Sequence, residues 1–178
     1  MNSDITSVES YISQEQLKKR IAELGQEISQ EFAGEHLIVV GVLNGAFMFC
    51  ADLVREIKGC QVDVQFLGAA SYHGGTESSG NVKITYDLKS DIKDKHILIV
   101  EDIVDTGLTI KSLKDLLASR KPKSIKLASL LYKPARNIHR VEIDYLAFEI
   151  QDKFVIGFGL DHDGKYRELP YIGVWTGA

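Results

Sequence analysis

His96-Ile97-Leu98-Ile99-Val100-Glu101-Asp102-Ile103-Val104-Asp105-Thr106-Gly107-Leu108-Thr109 carries three structural signals in succession. After His96, the four residues Ile97 to Val100 are an unbroken apolar run, short and rich in branched side chains, the pattern of a strand buried on both faces. Acids then crowd in at Glu101, Asp102 and Asp105, where such a strand ends. Gly107 breaks the pattern, and Leu108, Leu113, Leu116 and Leu117 then fall on one helical face over 108–119. A strand that runs through a polar loop straight into a helix belongs to a parallel sheet covered by helices.

The flanking sequence repeats the theme. Leu37-Ile38-Val39-Val40-Gly41-Val42-Leu43 is a second buried-strand run; Asn44-Gly45 follows as a tight loop, and a helix is expected over 46–57. Upstream, Ser13 and Gln16 have capping-box spacing, and Leu17, Ile21, Leu24 and Ile28 form one stripe of a helix over 14–32 that Gly34 closes. Downstream lie strands over 61–70, 81–88 and 124–131. Between the first two of these, Ser71-Tyr72-His73-Gly74-Gly75-Thr76-Glu77-Ser78-Ser79-Gly80 has three glycines and no apolar anchor after Tyr72, and reads as an excursion between strands. The C-terminal part predicts strands over 144–150, 154–160 and 171–175 with no helix between them, the pattern of an antiparallel flap. The expected fold is α/β, an open and mostly parallel twisted sheet flanked by helices.

Composition narrows the function. The 178 residues fit one domain, and 21 Lys+Arg against 25 Asp+Glu leave a net charge of −4. That balance excludes a basic nucleic-acid stripe and a polybasic membrane anchor. No apolar run reaches the ~18 residues of a membrane span. The polar, acidic start Met1-Asn2-Ser3-Asp4 is unlike a signal peptide, so the expected compartment is the cytoplasm. Cys50 and Cys60 sit among apolar residues as free thiols, and the five histidines show no zinc spacing.

Ligands of open parallel sheets bind at the carboxyl ends of the strands. Thr106, Gly107 and Thr109 open a helix there, where backbone N–H groups and two hydroxyls make a phosphate cradle. No GK[ST] follows and no GxGxxG is present, which excludes a P-loop and a dinucleotide fingerprint. Three carboxylates beside a phosphate cradle would repel the phosphate unless they bind another part of the same ligand. The two hydroxyls of a ribose, held directly or through Mg²⁺, fit that charge pattern. The bland alternative is Asp105 as a helix cap and Glu101 and Asp102 as surface acids. A receiver-type phosphoacceptor domain would need acids after the first buried strand, where this chain has Asn44-Gly45.

The run from Val100 to Thr109 resembles the phosphoribosyl-diphosphate (PRPP) signature of the type I phosphoribosyltransferases. More narrowly, the chain resembles the bacterial-type hypoxanthine and hypoxanthine-guanine phosphoribosyltransferases. Gly41-Val42-Leu43-Asn44-Gly45-Ala46-Phe47 is similar to their pyrophosphate loop, Ser71-Tyr72 to the opening of their flexible loop, and Leu130-Leu131-Tyr132-Lys133 to their purine-reading segment. Asp152-Lys153-Phe154-Val155-Ile156-Gly157-Phe158, Leu160-Asp161 and Tyr166-Arg167-Glu168-Leu169-Pro170-Tyr171 are similar to their C-terminal purine and metal segments.

The resemblance implies a fold and a set of roles. The fold would be a single phosphoribosyltransferase domain, its core at about 37–160 and a small hood from about 1–12 and 161–178. The activity would be transfer of 5-phosphoribosyl from PRPP to hypoxanthine, and to guanine, with a nucleotide-sensing regulator as the alternative. Asp105 would be the general base. Glu101 and Asp102 would hold the ribose hydroxyls and Mg²⁺, and Asp105, Thr106, Gly107, Leu108 and Thr109 would wrap the 5′-phosphate. Leu43, Asn44, Gly45 and Arg167 would bind pyrophosphate, with a cis peptide between Leu43 and Asn44. Lys133 would donate to the purine 6-oxo group, Phe154 would stack on the ring, and Val155 would pair with its edge. Asp161 would lie at the purine and contact a second Mg²⁺. Ser71 and Tyr72 would lead a closing lid. Asn44 departs from the family, many of whose members have Lys there. The partners implied are PRPP and a 6-oxopurine, with no nucleic acid or membrane, in a homodimer or homotetramer.

Overall fold

The computed structural model describes residues 8–71 and 82–177. The glycine-rich excursion expected after Ser71, including Tyr72, lies outside the described residues, as do residues 1–7. In chain order the elements are β1 (Val8–Ile12), α1 (Gln14–Glu31), β2 (His36–Leu43), α2 (Phe47–Glu56), β3 (Gln61–Ser71), β4 (Val82–Tyr86), β5 (His96–Val104), α3 (Leu108–Ala118), β6 (Ser124–Tyr132), β7 (Tyr145–Glu149), β8 (Val155–Ile156) and β9 (Ile172–Trp175). A 3-10 turn, Pro134–Arg136, follows β6.

The main sheet has the order β4-β3-β2-β5-β6-β7, parallel throughout except for β4, which runs antiparallel to β3. From β2 the chain crosses over to β3 on one side, and β5 then pairs with β2 on the other. The strand order therefore reverses between β2 and β5, and the loops that leave these two strands diverge to open a crevice.

Alternation along the central strands builds a core on both faces. Leu37, Val39, Leu98 and Val100 pack with Leu17, Leu24, Ile28, Phe49 and Leu53 of α1 and α2. Ile38, Val40, Ile97 and Ile99 point the other way, onto Ile110, Leu113 and Leu117 of α3. Each such side chain contributes about 1.5–3 kcal/mol on burial. Ile110 is buried in α3, whereas Leu108 and Leu116 are only partly covered. The α1 capping box is present: Ser13 Oγ accepts from Gln16 N–H at 3.2 Å, and Ser13 N–H donates to Gln16 Oε1 at 2.8 Å.

Three elements differ from the expected boundaries. β5 runs on to Val104, so Glu101 and Asp102 lie within the strand and pair with β6 through Glu101 opposite Ser129. The expected strand over 154–160 stops at Ile156, because Gly157, Phe158 and Gly159 all take positive φ and turn the chain away. β1 was not expected. It pairs antiparallel with β9, which also pairs with β8, in a separate three-stranded sheet.

Candidate active site

Two loops leave the reversal point of the sheet. After β2, the Leu43-Asn44 peptide is cis. Gly45 passes so close to β5 that a Cβ there would lie 1.6 Å from Asp102 Oδ2, so only glycine fits without displacing that carboxylate. After β5, Gly107 takes φ +82° as the N-cap of α3. Its side-chain-free Cα faces the His139 carbonyl, which a Cβ would meet at 2.1 Å. Lys111 N–H makes the first helical bond, to Gly107 O at 2.9 Å, so the earlier N–H groups of α3 have no helical acceptor. Leu108 N–H bonds Thr106 Oγ1 at 3.4 Å. The loop is braced from behind, since Thr106 O accepts from Ile138 N–H at 3.2 Å and His139 N–H at 2.9 Å. Glu101, Asp105, Thr106, Gly107 and Thr109 line the small cavity that results.

The bland alternative for the acids does not hold. Asp105 does not cap α3, because Gly107 does, with no side-chain cap bond. Glu101 is buried, with Oε2 meeting no hydrogen-bond donor. Burial first, then the charge of Asp102 beside it, hold the Glu101 carboxyl well above the usual carboxylate range. Burial also raises Asp102, although the Ile103 N–H, bonded to its Oδ1 at 2.8 Å, and the charge of Arg167 offset part of that effect.

Arg167 is held in place at this same end. Its Nη1 donates to Gly159 O at 2.6 Å and its Nη2 lies 2.8 Å from Asp161 Oδ1. Asp161 Oδ2 accepts from Gly164 N–H at 2.8 Å. Gly159 in turn reaches the first loop, where its Cα faces the Gly45 carbonyl. The loop Leu43-Asn44-Gly45, the two acids and Arg167 are therefore joined through Gly45 and Gly159.

The remaining residues gather on the other side of the crevice. Lys133 N–H donates to Val104 O at 3.0 Å, which ties the end of β6 to the end of β5. Lys133 is buried, and its Nζ lies 3.4 Å from Asp152 Oδ1. Arg136 places Nε 2.9 Å from Asp105 Oδ1, an ion pair without hydrogen-bond alignment, and Nη1 3.6 Å from Asp152 Oδ1. Arg136 and Asp152 were missed as site residues. Asp152 stood inside a quoted motif with no role, and the only signal for Arg136 was a cation three residues past Lys133. Phe154 is 53% exposed at the start of β8, stacks edge-on against His162 at 5.5 Å, and is followed by buried Val155. Phe154 is therefore not a core residue, and its free face has the chemistry to stack on a flat ligand.

The model of the phosphoribosyl transferase domain matches residues 7–163. The chain belongs to the phosphoribosyl transferase family. Within that family it is 42% identical over 174 residues to the hypoxanthine-guanine phosphoribosyltransferase of Streptococcus pneumoniae, covering 98% of this chain and 95% of the relative. It is 43% identical over 169 residues to the hypoxanthine phosphoribosyltransferase of Escherichia coli, covering 94% of each. The crystal structure of a hypoxanthine phosphoribosyltransferase from Staphylococcus aureus superposes with a TM-score of 0.93 at 42% identity, over 98% of this chain and 96% of that one. The fold is thus that of the phosphoribosyltransferases, as expected, and the chain is an enzyme of that class.

Proposed function

We propose that this chain transfers 5-phosphoribosyl from PRPP to hypoxanthine, and to guanine, releasing IMP or GMP and pyrophosphate in purine salvage. The observation that carries the reading is the pairing, across one crevice, of an anion cradle beside a buried acid, Glu101, and a half-buried one, Asp102, with a buried lysine beside an exposed phenylalanine. Nothing in the fold favours a regulator without turnover.

In this reading the bond from the anomeric carbon to pyrophosphate breaks, the bond to purine N9 forms, and the N7 proton passes to Asp105. The N–H groups from Gly107 to Thr109 and the Thr106 and Thr109 hydroxyls hold the 5′-phosphate, with Leu108 N–H giving up its bond to Thr106 Oγ1. Arg167 and the backbone of Leu43, Asn44 and Gly45 receive the leaving pyrophosphate. Lys133 donates to the 6-oxo group, which selects against adenine, whose 6-amine cannot accept. Phe154 stacks on the ring and Val155 meets its edge, with Asp161 nearby; the three-stranded sheet acts as a hood over the purine.

Mg²⁺ fits the acids. Glu101 Oε2 is a buried oxygen without a donor, beside a second carboxylate. Mg²⁺ takes one or two carboxylates and completes its shell with substrate oxygens and water, a demand this pair of acids can meet. Mg²⁺ bound there supplies positive charge for the ribose hydroxyls and the diphosphate. Asp161 keeps lone pairs for a second ion on the pyrophosphate.

Among the described residues no helix is long and apolar enough to cross a membrane. Cys50 and Cys60 are free, the first buried and the second half-buried, which suits the reducing cytoplasm where we place the enzyme, as a homodimer or homotetramer. Initial rates with PRPP, Mg²⁺ and each of adenine, hypoxanthine, guanine and xanthine test the proposal. Turnover with the 6-oxopurines and none with adenine is expected. Absence of pyrophosphate release with every base would leave the regulator reading standing.

A further inference from the structure

Four charged groups at the purine side of the crevice form a single chain: Asp105, Arg136, Asp152 and Lys133. Arg136 Nε lies 2.9 Å from Asp105 Oδ1, its Nη1 lies 3.6 Å from Asp152 Oδ1, and Lys133 Nζ lies 3.4 Å from that same Asp152 oxygen. Two cations and two carboxylates thus neutralise one another, and both functional groups are engaged. Asp105 Oδ1 faces a guanidinium. The Lys133 ammonium that would meet a 6-oxo group is turned to Asp152.

We infer that Arg136 is a positioning residue that exchanges partners when the purine enters, leaving Asp105 for Asp152 and so releasing Lys133 to the base. The inference rests on the purine-binding reading given above. The geometry carries it in three steps. A purine N–H meets the fuller negative charge of the Asp105 carboxylate once the guanidinium has left Oδ1. Arg136 already touches Asp152 and is half-exposed, with five donors in a planar fork, so it can settle on both Asp152 oxygens by rotation of its own side chain. Asp152 then has a full partner and no longer needs Lys133, whose buried Nζ would otherwise be an unpaired cation until the 6-oxo group arrives.

Arg136 also sits where such a change is mechanically cheap. It ends the turn Pro134–Arg136 directly after Lys133, with Arg136 N–H bonded to Lys133 O at 3.2 Å. Two residues on, Ile138 and His139 bond the carbonyl of Thr106 in the cradle. The turn therefore keeps its backbone fixed between the two loops while the side chain moves.

The test is a double-mutant cycle of R136Q and D152N, read as separate KM values for hypoxanthine and PRPP. R136Q should raise KM for hypoxanthine about tenfold, the loss expected for a charged hydrogen-bonding partner, while KM for PRPP and kcat stay within about threefold. In the D152N background Lys133 is already free, so R136Q should then change KM for hypoxanthine less than about twofold. R136K should recover much of the loss, because it restores the charge that covers Asp152. Additive effects in the cycle, or equal changes in both KM values, would make Arg136 a structural residue and overturn the inference. Melting temperatures of the variants within about 2 °C of the parent show that the kinetic changes are not unfolding. A parent protein without turnover on any purine would overturn the functional reading instead, a result the cycle cannot mimic.

Discussion

Two pairs of acids flank the crevice, and their surroundings are opposite. Glu101 and Asp102 sit side by side in the end of β5, with burial raising both, the charge of Asp102 raising Glu101 further, and no lysine, arginine or histidine in ion-pair contact among the described residues. Asp105 and Asp152 each have a cation within 3.6 Å, supplied by Arg136 and Lys133. The first pair is incomplete without a cation from outside the chain. The second is complete within the chain. In the proposed function, one crevice would then recognise a highly charged ligand by a deficit of positive charge and an uncharged one by exchange of internal partners. The difference matches the two substrates proposed, an anionic sugar phosphate carried with Mg²⁺ and a neutral base.

The comparison breaks most severely at the proton acceptor. Asp105→Asn should keep PRPP binding while lowering kcat by about 10²-fold or more, since general acid–base catalysis contributes 10²–10⁴. Near-parental turnover in single-turnover measurements would remove Asp105 from proton transfer. Lys133→Ala should raise KM for hypoxanthine at least about tenfold without a matching rise for PRPP, through loss of a charged hydrogen bond of about 1.5–3 kcal/mol. Equal changes in both would assign Lys133 to structure. Gly45→Ala forces a Cβ onto Asp102 Oδ2, and an overpacked site of this kind costs about 1–3 kcal/mol. Its kinetic effect should fall on PRPP, and an unchanged KM for PRPP would show that the contact is unimportant to the sugar-phosphate side.

The smallest effect is also the sharpest discriminator between the two pairs. The Glu101 carboxyl is raised above its ordinary value of 4.5 in the fold, so the unfolded chain ionises first. The unfolded state then binds fewer protons, and stability falls as pH rises from that value through the folded one. Glu101→Gln should flatten this fall and raise the melting temperature of the ligand-free protein near neutral pH by about 2–4 °C, the shift that about 1 kcal/mol produces at this size. The gain should come with weaker PRPP·Mg²⁺ binding. A lower melting temperature would mean that Glu101 is a satisfied structural acid.

Much of this was legible in the residues, for identifiable reasons. The strand, loop and helix from His96 to Ala118 could be read because its signals are local: an apolar run, a glycine and a helical period. The cradle and the acids came with it. The strand Val8–Ile12 was not legible, since it buries little beyond Ile12 and is defined by a partner at the far end of the chain. The run Phe154-Val155-Ile156-Gly157-Phe158-Gly159-Leu160 looks like one strand, and only the left-handed backbone from Gly157 to Gly159 shows that it folds back toward Gly45. Arg136 was illegible because both its partners lie across turns of the fold: Asp105 before α3, and Asp152 after β7.

The pairing of Val8 with Trp175 has a consequence for the order in which the molecule is made. The main sheet can assemble as its strands emerge, with β5 pairing back to β2, but the small sheet joins the first strand described here to the last. During synthesis β1 emerges early and must wait, unpaired, until β9 has left the ribosome. Phe154, whose carbonyl accepts from Trp175 N–H at 2.9 Å, gains that backbone anchor only in the final step. The phosphate end of the crevice is therefore established first, and the aromatic platform is the last part of the site to form.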